Sequence, residues 1–189
     1  VRPLHVWPSL ASGAYIALCV GDDYWVSSSK LEKQVRLLGA RQDAMIAAAM
    51  SYRCRDVGGQ LAQIGRCGEA DWDDLALESL NQRYFHTSTM LCRADVFGAV
   101  VLPIARRRLP ITETGLKMLI MQEGPAVFLG ELVSVYRETG RGVQSSLDRR
   151  RRLELAYDEQ LIVRDLMQPR YRHVPGEHLA QVSRALFRM

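Results

Sequence analysis

Lysine is almost missing from this sequence. Of its 25 basic residues only Lys30, Lys33 and Lys117 are lysine, and the other 22 are arginine. Cysteine is sparse as well: Cys19, Cys54, Cys67 and Cys92 are widely spaced and form no Cys-x-x-Cys pair. That spacing argues against a zinc site or a disulfide framework and fits reduced, mostly buried thiols in a cytoplasmic protein. No apolar run approaches the ~20 residues that a membrane-spanning helix needs. The longest, Met45 to Met50 and Phe97 to Leu102, suit strands or buried segments. No secretory leader is visible, and a chain that starts at Val1 rather than Met reads as a fragment or a processed product.

What is present is enough for one domain with a proper core, since 189 residues with 48% hydrophobic content are ordinary for a globular protein. The net charge of +4 rests on arginine, whose planar guanidinium binds phosphate in a bidentate fashion. Such a surplus suits a diphosphate ligand, an anionic acceptor or a membrane surface. No nucleic-acid-binding motif accompanies it, and solvated arginine is the plainer explanation. The run Arg149 to Arg152 goes round a helix rather than along one face, so it too reads as solvated.

The central stretch runs from Ala14 to Trp25, an apolar segment that stops at Gly21 and is followed by Asp22, Asp23, Tyr24 and Trp25. Tyr15 to Cys19 reads as a strand buried on both faces. In open α/β sheets, ligands sit beyond the carboxyl ends of strands, so acids at this point face a ligand. Paired carboxylates there are suited to Mg²⁺ shared with a diphosphate, although Gly-Asp-Asp is also ordinary turn chemistry. Strand alternation puts residues 20 and 22 on one face and turns Asp23 away.

Further along, Ser29 and Glu32 have capping-box spacing ahead of a helix whose face is Leu31, Val35 and Leu38. Asp43 to Arg55 reads as a buried strand closed by the turn Asp56 to Gly59. Gln60 to Gln82 is polar and interrupted by glycine, and its acids Glu69, Asp71, Asp73 and Asp74 suit a solvated loop better than a metal site. If Phe85 to Arg93 forms a strand, alternation puts His86, Ser88 and Met90 on one side and Thr87, Thr89 and Leu91 on the other. Leu116, Leu119 and Ile120 form the inner face of a helix that ends near Gly124. The apolar segments Pro125 to Leu129 and Leu132 to Arg137 follow. Two C-terminal helices carry Leu153 to Leu161 and, after Pro175-Gly176, Leu179 to Leu186.

From Ala14 to about Ser146 the chain resembles glycosyltransferase family 2. The resemblance is carried by Tyr15-Ile16-Ala17-Leu18, Gly21-Asp22-Asp23-Tyr24-Trp25, Lys30-Leu31-Glu32-Lys33-Gln34-Val35, the small-hydroxyl segment Phe85 to Arg93 and Ser134-Val135-Tyr136-Arg137. It implies an α/β fold, a partial GT-A (Rossmann-like) mixed sheet flanked by helices, over residues 1–146, with a C-terminal helical extension over 147–189. It further implies inverting transfer of a sugar from a nucleoside-diphosphate-sugar to an acceptor hydroxyl of a glycan or lipid-linked acceptor. Asp22 and Asp23 would hold a divalent metal, Mg²⁺ or Mn²⁺, while Arg137, Trp25 and His86 would contact donor or acceptor. Glu113 would be the catalytic base, since it stands where the family has Asp eleven positions before a glycine, here Gly124.

The departures are equally concrete. Val20 replaces an acid, Glu113 replaces Asp, Thr139 replaces a common His, and the family's opening nucleotide-binding strands have no counterpart. These differences leave a second expectation beside the transferase: a non-catalytic domain that keeps the fold and serves binding or assembly. The expected setting is cytoplasmic, with peripheral contact at the inner membrane face, and a bare sheet edge would favour an oligomer.

Overall fold

The structure, a computed structural model, describes residues 11–139 and 147–187. The end of the stretch that resembles the family, at 140–146, lies outside the described residues. The described residues form a mixed α/β fold with one mixed sheet. Its strands are β1 (Tyr15–Ala17), β2 (Tyr24–Trp25), β3 (Ile46–Val57), β4 (Gln60–Cys67), β5 (Asp74–Leu75), β6 (Leu91–Arg93) and β7 (Ala126–Glu138). The order is β1-β6-β3-β7-β2, with β4 on β3 and β5 on β7. β3 and β7 run parallel from Ile46 opposite Ala126 to Arg55 opposite Glu138, and the remaining pairs are antiparallel.

Helix α1 (Lys30–Ala40) covers one face of the sheet, and α2 (Ala94–Arg107), α3 (Glu113–Met121) and α4 (Arg149–Leu166) lie on the other. Strand alternation explains the split. Ile46, Ala48, Met50, Cys92, Ala126 and Phe128 join the large cluster with residues of α2, α3 and α4, while Ala47, Leu91 and Val127 meet Leu38 of α1. Gln34 tightens the α1 side: its buried amide donates to the carbonyls of Ala47 (2.8 Å) and Thr89 (2.7 Å). Val163 and Met167 at the end of α4, and Val174 of α5 (His173–Phe187), belong to the large cluster. The C-terminal helices therefore share the core of the preceding residues. Among the described residues no helix is long and apolar enough to cross a membrane.

Several local expectations change. β1 is a half-buried edge strand of three residues, not a strand buried on both faces, because it pairs with β6 alone. Ser29 occupies the cap of α1 without a side-chain capping bond, and its hydroxyl lies 3.3 Å from that of Ser27. Gln60 to Cys67 is a strand rather than loop, turned back onto β3 through Gly58 and Gly59, both with positive φ, and Asp56 accepts from Gly59 N at 2.8 Å. Its outward exposure removed the alternation that would have marked it. Phe97 to Leu102 is helical, and Pro103 lies inside α2. Pro175 and Gly176 fall in the first turn of α5, where proline is tolerated, and do not precede the helix.

Candidate active site

Asp22 sits at the corner of a turn closed by Asp23 N donating to Val20 O (2.9 Å), between β1 and β2. The two carboxylates have different fates. Asp22 is half-buried. The Asp23 side chain has no exposure at all. Its Oδ2 accepts the Ser88 hydroxyl at 2.5 Å and lies 3.3 Å from His86 Nδ1, and its Oδ1 accepts Arg137 N at 3.0 Å. The turn, not strand alternation, directs Asp23 inward, where it is committed to protein partners.

The partner segment is not the expected strand. His86 caps a single 3-10 turn, Thr87–Thr89, and β6 begins only at Leu91. The reason is local hydrogen bonding: the Thr89 hydroxyl donates to His86 O (2.7 Å), and His86 Nδ1 accepts Ser88 N (3.3 Å). Small hydroxyl side chains compete with strand pairing in this way. The turn sends neighbouring side chains in different directions. Ser88 reaches Asp23, while Thr87 donates to Glu113 Oε2 at 2.6 Å. One five-residue segment therefore joins the two acidic motifs, although 89 residues of chain lie between Asp23 and Glu113.

Serine, histidine and aspartate meet here without forming a nucleophilic triad. The Ser88 hydroxyl is buried, gives its proton to Asp23 and accepts Val20 N (3.0 Å), so the imidazole does not take that proton. His86 stacks on Tyr136 with ring centroids 4.2 Å apart. Burial lowers its pKa, against the raising effect of Asp23 and Glu113. The neutral ring accepts Ser88 N through Nδ1; protonation would turn that nitrogen into a donor toward Asp23.

Trp25 and Arg137, expected at the donor, are engaged in building the site. Trp25 Nε1 donates to Ser88 O (2.8 Å), and Arg137 Nε donates to Asp22 O. The Arg137 guanidinium also lies 5.9 Å from the Tyr24 ring centre. Lys117 is a participant that the sequence reading did not single out. One turn after Glu113, it is buried, donates to Phe85 O (2.7 Å) and stands 4.5 Å from the Tyr84 ring centre. Burial brings its pKa down to about 8, opposed by Glu113. Its signal was available, because it is a lone cation inside the apolar run Leu116 to Met121.

Lys30 is the second such cation. Its ammonium is buried without a hydrogen bond, 4.4 Å from the Trp25 ring centre, and burial lowers its pKa from 10.5 to about 8. A lysine that is harder to protonate when folded penalises folding most below pH 8, and the penalty is relieved as pH rises toward 10.5. Lys30→Met is therefore expected to stabilise the protein by about 2–3 kcal/mol at pH 7. Urea unfolding from pH 7 to 10.5 checks this. The advantage of the variant over the native protein should shrink across the range, since Lys117, the buried Cys92 thiol and the other shifted groups titrate in both. An unchanged pH slope in the variant would sink the assignment.

For the divalent metal implied by the resemblance, the fit is partial. Both Asp23 oxygens are occupied, which leaves the half-buried Asp22 as the other carboxylate of that pair. Among the described residues no group of three or more His, Cys, Asp or Glu is placed to hold a metal ion. A cavity of about 480 Å³ between α2, α3 and the end of α4 is lined by Val96, Val100, Leu119 and Leu166, and one of about 420 Å³ lies beside Tyr15 and Arg93. Neither is lined by Asp22, His86 or Glu113.

No family model matches the chain. An uncharacterized protein of Mycobacterium tuberculosis and one of Mycobacterium bovis are each 30% identical to it over 151 residues, which cover 76% of this chain and 40% of theirs. The chain thus spans about two fifths of the length of the curated relatives it matches.

Proposed function

We propose that this chain is part of a glycosyltransferase of the family 2 type, with a partial GT-A sheet, that transfers a sugar with inversion from a nucleoside-diphosphate-sugar. The observation that supports this most is the joining of the two acidic motifs through Thr87 and Ser88. In this reading the acceptor hydroxyl attacks the anomeric carbon, the bond from that carbon to the diphosphate oxygen breaks, and Glu113 takes the hydroxyl proton. Asp23, Ser88, Trp25 and Arg137 hold the turn that presents Asp22. Asp22 would be the carboxylate that holds a divalent cation, whose charge would offset that of the departing diphosphate. The acceptor, glycan or lipid-linked, and a cytoplasmic, membrane-peripheral setting belong to the same proposal.

The alternative is a non-catalytic domain of the same fold, and the inward commitment of Asp23 is the observation that favours it. Calorimetric titration with UDP and other nucleoside diphosphates, with and without Mn²⁺, separates the two. The transferase reading expects metal-dependent binding that Asp22→Ala weakens by about tenfold or more, a change of ~1.4 kcal/mol. Absence of binding to every nucleotide tried would leave the non-catalytic reading.

A further inference from the structure

Helix α3 carries Glu113 at its first position and is capped by Thr112, whose hydroxyl accepts Thr114 N at 3.3 Å. A capping box would place Glu three residues after Thr112, reaching back to the Thr112 N–H. That position is Gly115.

The missing carboxylate comes from another helix. Glu159 of α4, buried, accepts Thr112 N through Oε1 at 2.5 Å and the Thr112 hydroxyl through Oε2 at 2.8 Å. Gly115 leaves the room for this. A Cβ built there would lie 2.6 Å from Glu159 Oε1 and 2.8 Å from Val163 Cγ2. Burial raises the pKa of Glu159, and the Thr112 donors pull it back. A carboxylate at a helix N-terminus is also favoured by the helix dipole.

We propose that Glu159 is a positioning residue for Glu113, a capping-box acid supplied from α4 that fixes the first turn of α3 and so holds the Glu113 carboxylate against Thr87. This rests on the proposed role of Glu113 as the proton acceptor. It makes the C-terminal helices part of the chemistry, although they lie beyond the stretch that resembles the family.

The test compares the native chain with Glu159→Gln, which keeps one acceptor oxygen, and Glu159→Ala. Amide hydrogen exchange should accelerate at 113–116 in Glu159→Ala, by about tenfold or more over any change in β3. Sugar transfer should show kcat reduced by about ten- to a hundredfold with the donor KM little changed, and Glu159→Gln should recover part of both. Uniform acceleration through the fold, or a local effect with unchanged kcat, overturns the proposal.

If the native chain turns over no nucleotide-sugar, the transferase reading fails on its own. The positioning claim is then decided by hydrogen exchange alone: in Glu159→Ala the amides at 113–116 and at 87–89 should accelerate together, since the Thr87 hydroxyl is held by Glu113 at 2.6 Å. Acceleration at neither segment, or through the whole fold alike, overturns it.

Discussion

Asp23→Ala is expected to lower the unfolding free energy by about 3–5 kcal/mol. The magnitude follows from what the carboxylate holds. It accepts from the Ser88 hydroxyl at 2.5 Å and from Arg137 N at 3.0 Å, and its side chain is fully buried. Truncation leaves both donors without an acceptor in a place that water does not reach, and an unmade buried hydrogen bond costs more than a made one contributes. Asp23→Asn keeps the shape but offers one acceptor oxygen for two donors, so its loss should be smaller. Trp25 is a built-in reporter, since its indole donates to Ser88 O. Urea unfolding followed by tryptophan fluorescence provides the measurement. A loss below about 1 kcal/mol for the alanine variant would show that Asp23 is not the keystone of this turn.

Glu113→Gln is expected to reduce sugar transfer by about 10²- to 10⁴-fold, the usual contribution of a positioned general base, while stability changes by less than ~1 kcal/mol. The two effects separate because the glutamine carbonyl can still accept from Thr87, whose hydroxyl lies 2.6 Å from the carboxylate in the native chain. What is lost is the capacity to take a proton, together with the charge that opposes the desolvation of Lys117. Glu113→Asp asks a different question. It restores the acid type of the resembling family but withdraws the oxygens by one methylene, and a displacement of about 1 Å can cost on the order of a hundredfold. Donor turnover with a panel of glycan acceptors is the assay. More than a tenth of native activity in Glu113→Gln would remove Glu113 from the reaction.

Local pattern carried much of this molecule. β3 was readable from its apolar run and α3 from the spacing of Leu116, Leu119 and Ile120, whereas α1 was readable in extent only, since its buried face is Lys30, Gln34 and Leu38 while Leu31 and Val35 are exposed. β4 was not, because Gln60 to Ile64 are all exposed and show no period of two. The segment 86–90 misled for another reason. The resemblance implied a strand there, but the Thr89 hydroxyl and the His86 ring bond to nearby backbone and bend the segment into a turn.

The sequence by itself determined the turn at Gly21-Asp22, the acid at the start of α3 and the apolar faces around them, since each depends on residues within a few positions. Only the tertiary structure decided that Asp22 is half-buried while the Asp23 side chain is sealed, that Thr87 and Ser88 serve different acids, and that Glu159 completes a cap 47 residues before it. The physical reason is that a hydrogen bond has a reach of about 3 Å. Its partners are chosen by which elements the sheet and helices bring side by side, and spacing along the chain carries no record of that choice.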